Sequence, residues 1–103
     1  MVKAATNNLI PMERLEKAAA VLRLLAHPHR LRICELLLSR RISVNEIAEL
    51  LELPGNFVSQ HLGMMRAYGL VCSEREGKTV YYRVCSPQPG WLLECIRNHD
   101  VTD

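Results

Sequence analysis

Residues 43–71, SVNEIAELLELPGNFVSQHLGMMRAYGLV, decide the fold because two short helical patterns in them are joined by one tight turn. Ser43 and Glu46 have the spacing of a capping box, in which the Ser43 hydroxyl accepts from the Glu46 amide and the Glu46 carboxylate reaches back. This predicts a helix that begins at Ser43 and ends before the turn at Pro54. A second helix follows as far as Gly69, a residue that tolerates the left-handed backbone at a helix end.

After Gly69 the period changes from helical to alternating. Residues 70–75 and 79–85 are short runs with β-branched or aromatic residues, and Gly77 supplies a turn between them. Two short helices joined by a tight turn and followed by a hairpin predict a winged helix-turn-helix.

Three further helices complete the predicted domain. Apolar spacing indicates helices over about 12–26, 28–39 and 89–98. The expected fold is therefore mainly α with a β-hairpin wing: four helices, two strands and a fifth helix. We expect one domain over residues 12–99, with a flexible lead-in at 1–11 and a tail at 100–103.

Length and composition agree with one globular domain. The chain has 103 residues, of which 49% are hydrophobic and 23% charged, and this balance excludes disordered, collagenous and coiled-coil classes. The longest apolar run is far below the roughly 20 residues of a membrane span. We therefore expect a cytoplasmic protein with no membrane partner. A net charge of +2 permits nucleic-acid binding without requiring it.

One face of the second helix in the 43–71 stretch carries side chains suited to DNA bases. Val58, Leu62 and Met65 define its core side. Asn and Gln can bond adenine edges, Ser can bond a base or a phosphate, and Gly permits close approach of a backbone. A merely solvated helix would more often carry Glu, Lys and Arg. The opposite side presents Asn56, Ser59, Gln60 and Gly63.

This face lacks the cations that hold DNA phosphates, so they must come from other elements. Arg75 and Lys78 stand at the predicted hairpin tip, and Arg40 and Arg41 precede the third helix. The amide groups at the N-terminus of that helix could add to the site. For Arg40 and Arg41 an equal alternative is a solvated helix end stabilised by the macrodipole.

The stretch from about Val21 to Val84 resembles the ArsR/SmtB family of bacterial winged-helix repressors. LLAHPHRLRICELL resembles the opening of the family's second helix, VSQHLGMMRAYGLV its recognition helix and REGKTVYYRV its wing. The resemblance implies a homodimer that binds an inverted-repeat operator and is released by an inducer. It also places Ser59 and Gln60 on positions that the family uses against DNA. Pro54 and Gly55 depart from the usual start of that helix, which could shift the first base contacts.

Dimerisation also has support from the residues themselves. The first and last helices are both amphipathic, and a chain of this length offers little interior to bury both. We expect them to pair with a second copy. The last helix has its apolar residues at Trp91, Leu92, Cys95 and Ile96.

The four cysteines, Cys34, Cys72, Cys85 and Cys95, contain no Cys-x-x-Cys pair, which disfavours a zinc ribbon. Stable disulfides are not expected in the cytosol. A turn at Gly77 would also leave Cys85 about two residues out of register with Cys72, beyond easy disulfide reach.

The residues do not decide between several classes of inducer. Metal-sensing relatives place cysteines in the third helix, which has none here. Cys95 and His99 share a helix face and could form a Cys₂His₂ set across a dimer, although an interface Cys and a solvated His are favoured. Cys34 and Cys95 lie on the elements that thiol-sensing members use. Cys34 stands one position early, so a core role is favoured over a redox pair.

Two other function classes compete with a repressor that needs no cofactor. A winged-helix interaction module without operator binding fits the small net charge, but its binding face would more often show aromatic or Met side chains. A metal- or metalloid-responsive repressor would use Cys95 and His99. Nothing indicates an enzyme, because the sequence lacks a Ser/His/Asp order, a phosphate-binding Gly loop and paired carboxylates.

Overall fold

The protein is described from a computed structural model that covers residues 8–99. The predicted tail at 100–103 and most of the predicted lead-in lie outside these residues. The winged helix-turn-helix is confirmed, with predicted bounds within one or two residues. The elements are α1 Met12–Leu25, α2 Pro28–Ser39, β1 Ile42–Ser43, α3 Val44–Leu51, α4 Gly55–Ala67, β2 Val71–Glu76, β3 Thr79–Val84 and α5 Gln88–Asn98.

The cap of α3 forms as half of the predicted capping box. Ser43 Oγ accepts from the Glu46 amide at 3.1 Å, as expected. The Glu46 carboxylate does not reach back; it accepts instead from Arg40 Nη2 at 2.8 Å. At its other end α3 stops at Glu52, which has a left-handed backbone (φ 55°) and donates its amide to Ala48 O.

A short strand that sequence analysis missed connects the wing to the helices. β1 pairs with β3, Ile42 opposite Tyr82, and gives a three-stranded sheet of order β1-β3-β2. Two residues are too few to show an alternating pattern. Because β1 leads directly into α3, its pairing with β3 fixes the position of the wing relative to the helix-turn-helix. Gly77, at φ +63°, supplies the predicted hairpin turn.

The core lies where α2, α3, α4 and the base of the sheet meet. Val58, Leu62 and Met65 of α4 are fully buried, as predicted. In α5, Leu93 is buried, whereas Trp91, one of the apolar residues expected to pair with a second copy, is 70% exposed and Cys95 is also exposed. Leu93 packs in the core cluster beside α2. No helix within residues 8–99 has the length and apolar character needed to span a bilayer.

A disulfide joins Cys72 and Cys85 at the base of the wing, with a Cα–Cα distance of 5.9 Å. The predicted register is right, because Cys72 stands opposite Arg83. The predictions that no stable disulfide forms and that Cys85 lies out of reach are both wrong. Such a diagonal pair is about 7–8 Å apart in a regular ladder. Here the Cys85 amide donates to Leu70 O at 3.1 Å, so the chain after β3 turns towards the start of β2. This turn brings Cys85 closer to Cys72 than a regular ladder would.

Candidate nucleic-acid interface

The outward face of α4 is exposed and uncharged. The predicted base-contacting residues Asn56, Ser59, Gln60 and Gly63 are all exposed, while Val58 behind them is buried. A Cβ built on Gly63 meets nothing within 4 Å, so the surface is open there. This face can approach the edges of base pairs without first breaking an ion pair of its own.

The first turn of α3, the wing and α4 meet beside this face. Ser59 of α4 and Lys78 of the wing line the same depression, together with the Ser43 cap and Asn45. The backbone amides at a helix start attract anions, and Lys78 adds a full positive charge. Asn45 was missed by sequence analysis, although its position two residues after the cap of α3 could have indicated it.

The wing contributes two exposed cations. Arg75 and Lys78 are both exposed, and within residues 8–99 no carboxylate lies at ion-pair distance from either. Arg66, the basic residue of α4, donates to Ser73 Oγ at 3.0 Å and so links α4 to β2. The guanidinium of Arg75 and the ammonium of Lys78 are therefore free to make the predicted phosphate contacts.

Arg40 and Arg41 are both held by carboxylates. Arg41 donates to Glu74 at 2.9 Å and to Glu76 at 2.8 Å, and its guanidinium lies 4.2 Å from the centre of the Tyr81 ring. Hydrogen bonds to these glutamates raise the pKa of Arg41, as the bond to Glu46 does for Arg40. Exposed ion pairs of this kind are worth little. A DNA phosphate could therefore replace a glutamate as the partner of Arg40 or Arg41. In this structure, however, the Arg41 guanidinium is bonded to Glu74 and Glu76 of the wing.

Behind α4, His61 is buried and connects the recognition helix to α2. Its Nδ1 accepts from Arg30 Nε at 2.9 Å, and its ring meets Phe57 edge-on with 4.4 Å between centroids. Burial lowers the pKa of His61, and nearby cationic side chains act in the same direction. The imidazole is packed inside the protein, and its bond to Arg30 holds α4 to α2.

The two free cysteines have opposite environments. Cys34 is fully buried, with its Sγ 3.6 Å from Met65 Sδ, and burial raises its pKa to about 11. A thiol in this state resists ionisation and oxidation, which favours the core role. Cys95 is exposed on α5, and His99 follows at its end. Within residues 8–99 no three potential ligands cluster as they would around a metal ion.

The exposed polar face of α4, the cationic wing and the capped start of α3 together define a winged helix-turn-helix DNA-binding protein. A family model described as a helix-turn-helix domain matches residues 25–73. The transcriptional activator HlyU of Vibrio cholerae is 36% identical over 96 residues, covering 92% of this chain and 89% of HlyU. The repressor SmtB of Mycobacterium tuberculosis is 40% identical over 74 residues, covering 72% of this chain and 55% of SmtB.

Solved structures agree with these sequence matches. Reduced HlyU superposes with a TM-score of 0.79 at 32% identity, covering 88% of this chain and 96% of that one. The homodimeric winged helix-turn-helix domain of Mb0332 from Mycobacterium bovis, a possible ArsR-family regulator, gives a TM-score of 0.76 at 26% identity, covering 88% and 87%. The chain belongs to the ArsR/SmtB family, and it is a DNA-binding transcriptional regulator.

Proposed function

We propose that this regulator is a cytoplasmic repressor that binds an inverted-repeat operator as a homodimer and leaves it when an inducer binds. The observation that carries the proposal is the exposed, uncharged face of α4 beside the free cations of the wing. Gln60 would read a base edge in the major groove, and Lys78 would hold a phosphate of the same half-site.

The homodimer would form through α1 and α5. Both helices carry large apolar side chains that the single chain leaves exposed: Met12, Leu15 and Leu22 on α1, and Trp91 on α5. Covering them with a second copy removes apolar surface from water and generates a twofold axis. Two α4 helices about 34 Å apart would then enter successive major grooves on one side of the duplex.

DNA selected from a random duplex library by the purified protein would test the proposal. The selected sequences should contain an inverted repeat. Affinity for that duplex should fall at least roughly 30-fold in a Ser59→Ala, Gln60→Ala double variant, because the homodimer loses a base contact in each half-site and each contact is worth about 1–3 kcal/mol. Gln88→Ala removes the same amide from α5 and serves as the matched control.

Two results would contradict the proposal. Failure to enrich any duplex would argue for a protein-interaction module. Enrichment with unchanged affinity in the double variant would show that DNA binds elsewhere on the molecule.

A further inference from the structure

A cavity between α2 and α5 is lined by apolar and charged side chains that have no part in the proposed DNA contacts. Its volume is about 340 Å³, at the low end of the range for small-molecule sites. Its apolar walls come from both helices: Pro28 and Leu31 of α2, and Leu93 and Ile96 of α5. Such walls suit the hydrocarbon body of a small ligand.

The rim of this cavity carries two guanidinium groups and one carboxylate. Arg32 Nη1 lies 2.6 Å from Glu35 Oε1, and Arg97 Nη2 lies 3.0 Å from Glu35 Oε2. Each guanidinium has five N–H donors, and the Arg32 and Arg97 side chains are 63% and 56% exposed. One carboxylate therefore neutralises only one of two positive charges and leaves most donors unused.

We propose that this cavity binds a small organic carboxylate with an apolar body. The ligand's carboxylate would bond the guanidiniums of Arg32 and Arg97, whose planar donor geometry matches a carboxylate in pairs of bonds. Its hydrocarbon part would lie against Leu31 and Leu93. An amine would meet the surplus positive charge, and an alcohol would lose the charge-assisted bonds.

The site is separate from the other two surfaces of the protein. On a helix with 100° per residue, Trp91 and Cys95 lie roughly 160–200° around α5 from Leu93. A second copy that covers Trp91 therefore leaves the α2 side of α5 open. The DNA-contacting side chains lie on α4 and the wing, so ligand binding here does not depend on the proposed operator contacts.

Glu35 gives the proposal a directional test. It competes with the ligand for both guanidiniums, so Glu35→Gln should tighten carboxylate binding. Arg97→Gln should weaken it roughly tenfold, the value of one charge-assisted hydrogen bond. Arg14→Gln on α1 is the charge-matched control. Arg97 is exposed and Glu35 is half-buried, and neither belongs to the buried core, so the variants should fold.

Binding to the DNA-free protein is measured by calorimetry with hexanoate and phenylacetate, against hexanol and phenethylamine. Both carboxylates should bind at least roughly tenfold tighter than the alcohol and the amine. Hexanol binding as tightly as hexanoate would overturn the proposal, because the guanidiniums would then contribute nothing. Weaker carboxylate binding in Glu35→Gln would also overturn it. So would the absence of binding when either carboxylate is raised to about 10 mM, a concentration at which even a site with a millimolar dissociation constant gives a signal.

Discussion

Arg30 Nε donates to His61 Nδ1 at 2.9 Å, so the recognition helix is held to α2 by an imidazole that must be neutral. A protonated imidazole carries hydrogens on both nitrogens and cannot accept this bond. Arg30 also donates from Nη1 to Leu24 O at 3.0 Å, at the end of α1. One guanidinium therefore joins three helices, and the charge of His61 determines whether the link to α4 holds.

The free energy of unfolding should decrease as the pH falls below about 6.5, the ordinary His value. The pKa of His61 is lowered in the folded protein, so the unfolded chain takes up the proton first. The stabilisation is complete above the unfolded pKa and is lost as the pH falls through the lower, folded one. Urea titrations between about pH 7.5 and 5.5 measure this dependence.

A substitution of His61 that keeps a hydrogen-bond acceptor for Arg30 but cannot be protonated tests whether His61 causes this pH dependence. His61→Asn can still accept from Arg30 through its amide oxygen, and it should flatten the pH dependence. His99→Asn, at the exposed end of α5, should leave the dependence intact. A steep pH dependence that survives in His61→Asn would assign the effect to another group.

Lys78→Ala should weaken binding to every duplex by a similar factor. Lys78 is predicted to contact a phosphate, and phosphate contacts carry no sequence information. The slope of log affinity against log salt should fall by about 0.9 for each lost contact, one per subunit. Lys17→Ala on α1 removes the same charge away from the wing. An unchanged salt slope in Lys78→Ala would remove this residue from the interface.

How far the sequence predicts this molecule depends on how local each signal is. The face of α4 was predictable because a 3.6-residue period places Val58 and Gln60 on different sides of the helix. The contact of Arg41 with Glu74 joins residues 33 positions apart, and no spacing rule announces it. Leu93, the residue that α5 buries, was not identified for a related reason. Which apolar residue turns inward depends on the neighbouring α2, and the helix's own sequence does not specify it.

Trp91→Glu should shift the protein from dimer to monomer. Trp91 is 70% exposed in the single chain, and a buried tryptophan at an interface commonly costs more than 2 kcal/mol when removed. The dimer dissociation constant from analytical ultracentrifugation should therefore rise at least roughly tenfold. Leu50→Glu, an exposed apolar residue on α3, is the control. Equal dissociation constants for Trp91→Glu and wild type would exclude this side of α5 from the interface.

Cys95 should react with iodoacetamide while the protein is folded, and Cys34 should not. Burial raises the pKa of Cys34 to about 11, so about one thiol in a thousand is ionised at pH 8, and the reagent has no path to it. Mass spectrometry of the alkylated protein, with and without urea, measures both sites. A Cys34–Cys95 disulfide after mild peroxide treatment would contradict this and support a thiol switch on α2 and α5.

Reducing the Cys72–Cys85 disulfide should lower the free energy of unfolding by about 3 kcal/mol, the value for closing a loop of this length. The bond joins residues 13 positions apart and closes a loop that contains the whole hairpin. Its loss acts mainly by raising the conformational entropy of the unfolded chain. Urea titrations with and without dithiothreitol measure the difference. A Cys72→Ser, Cys85→Ser variant should match the reduced protein and show no further effect of the reductant. Cys95→Ser should keep the full effect, since Cys95 is a free thiol. Equal stability of the wild type with and without reductant would show that the wing is held by its sheet register and by Arg41 alone.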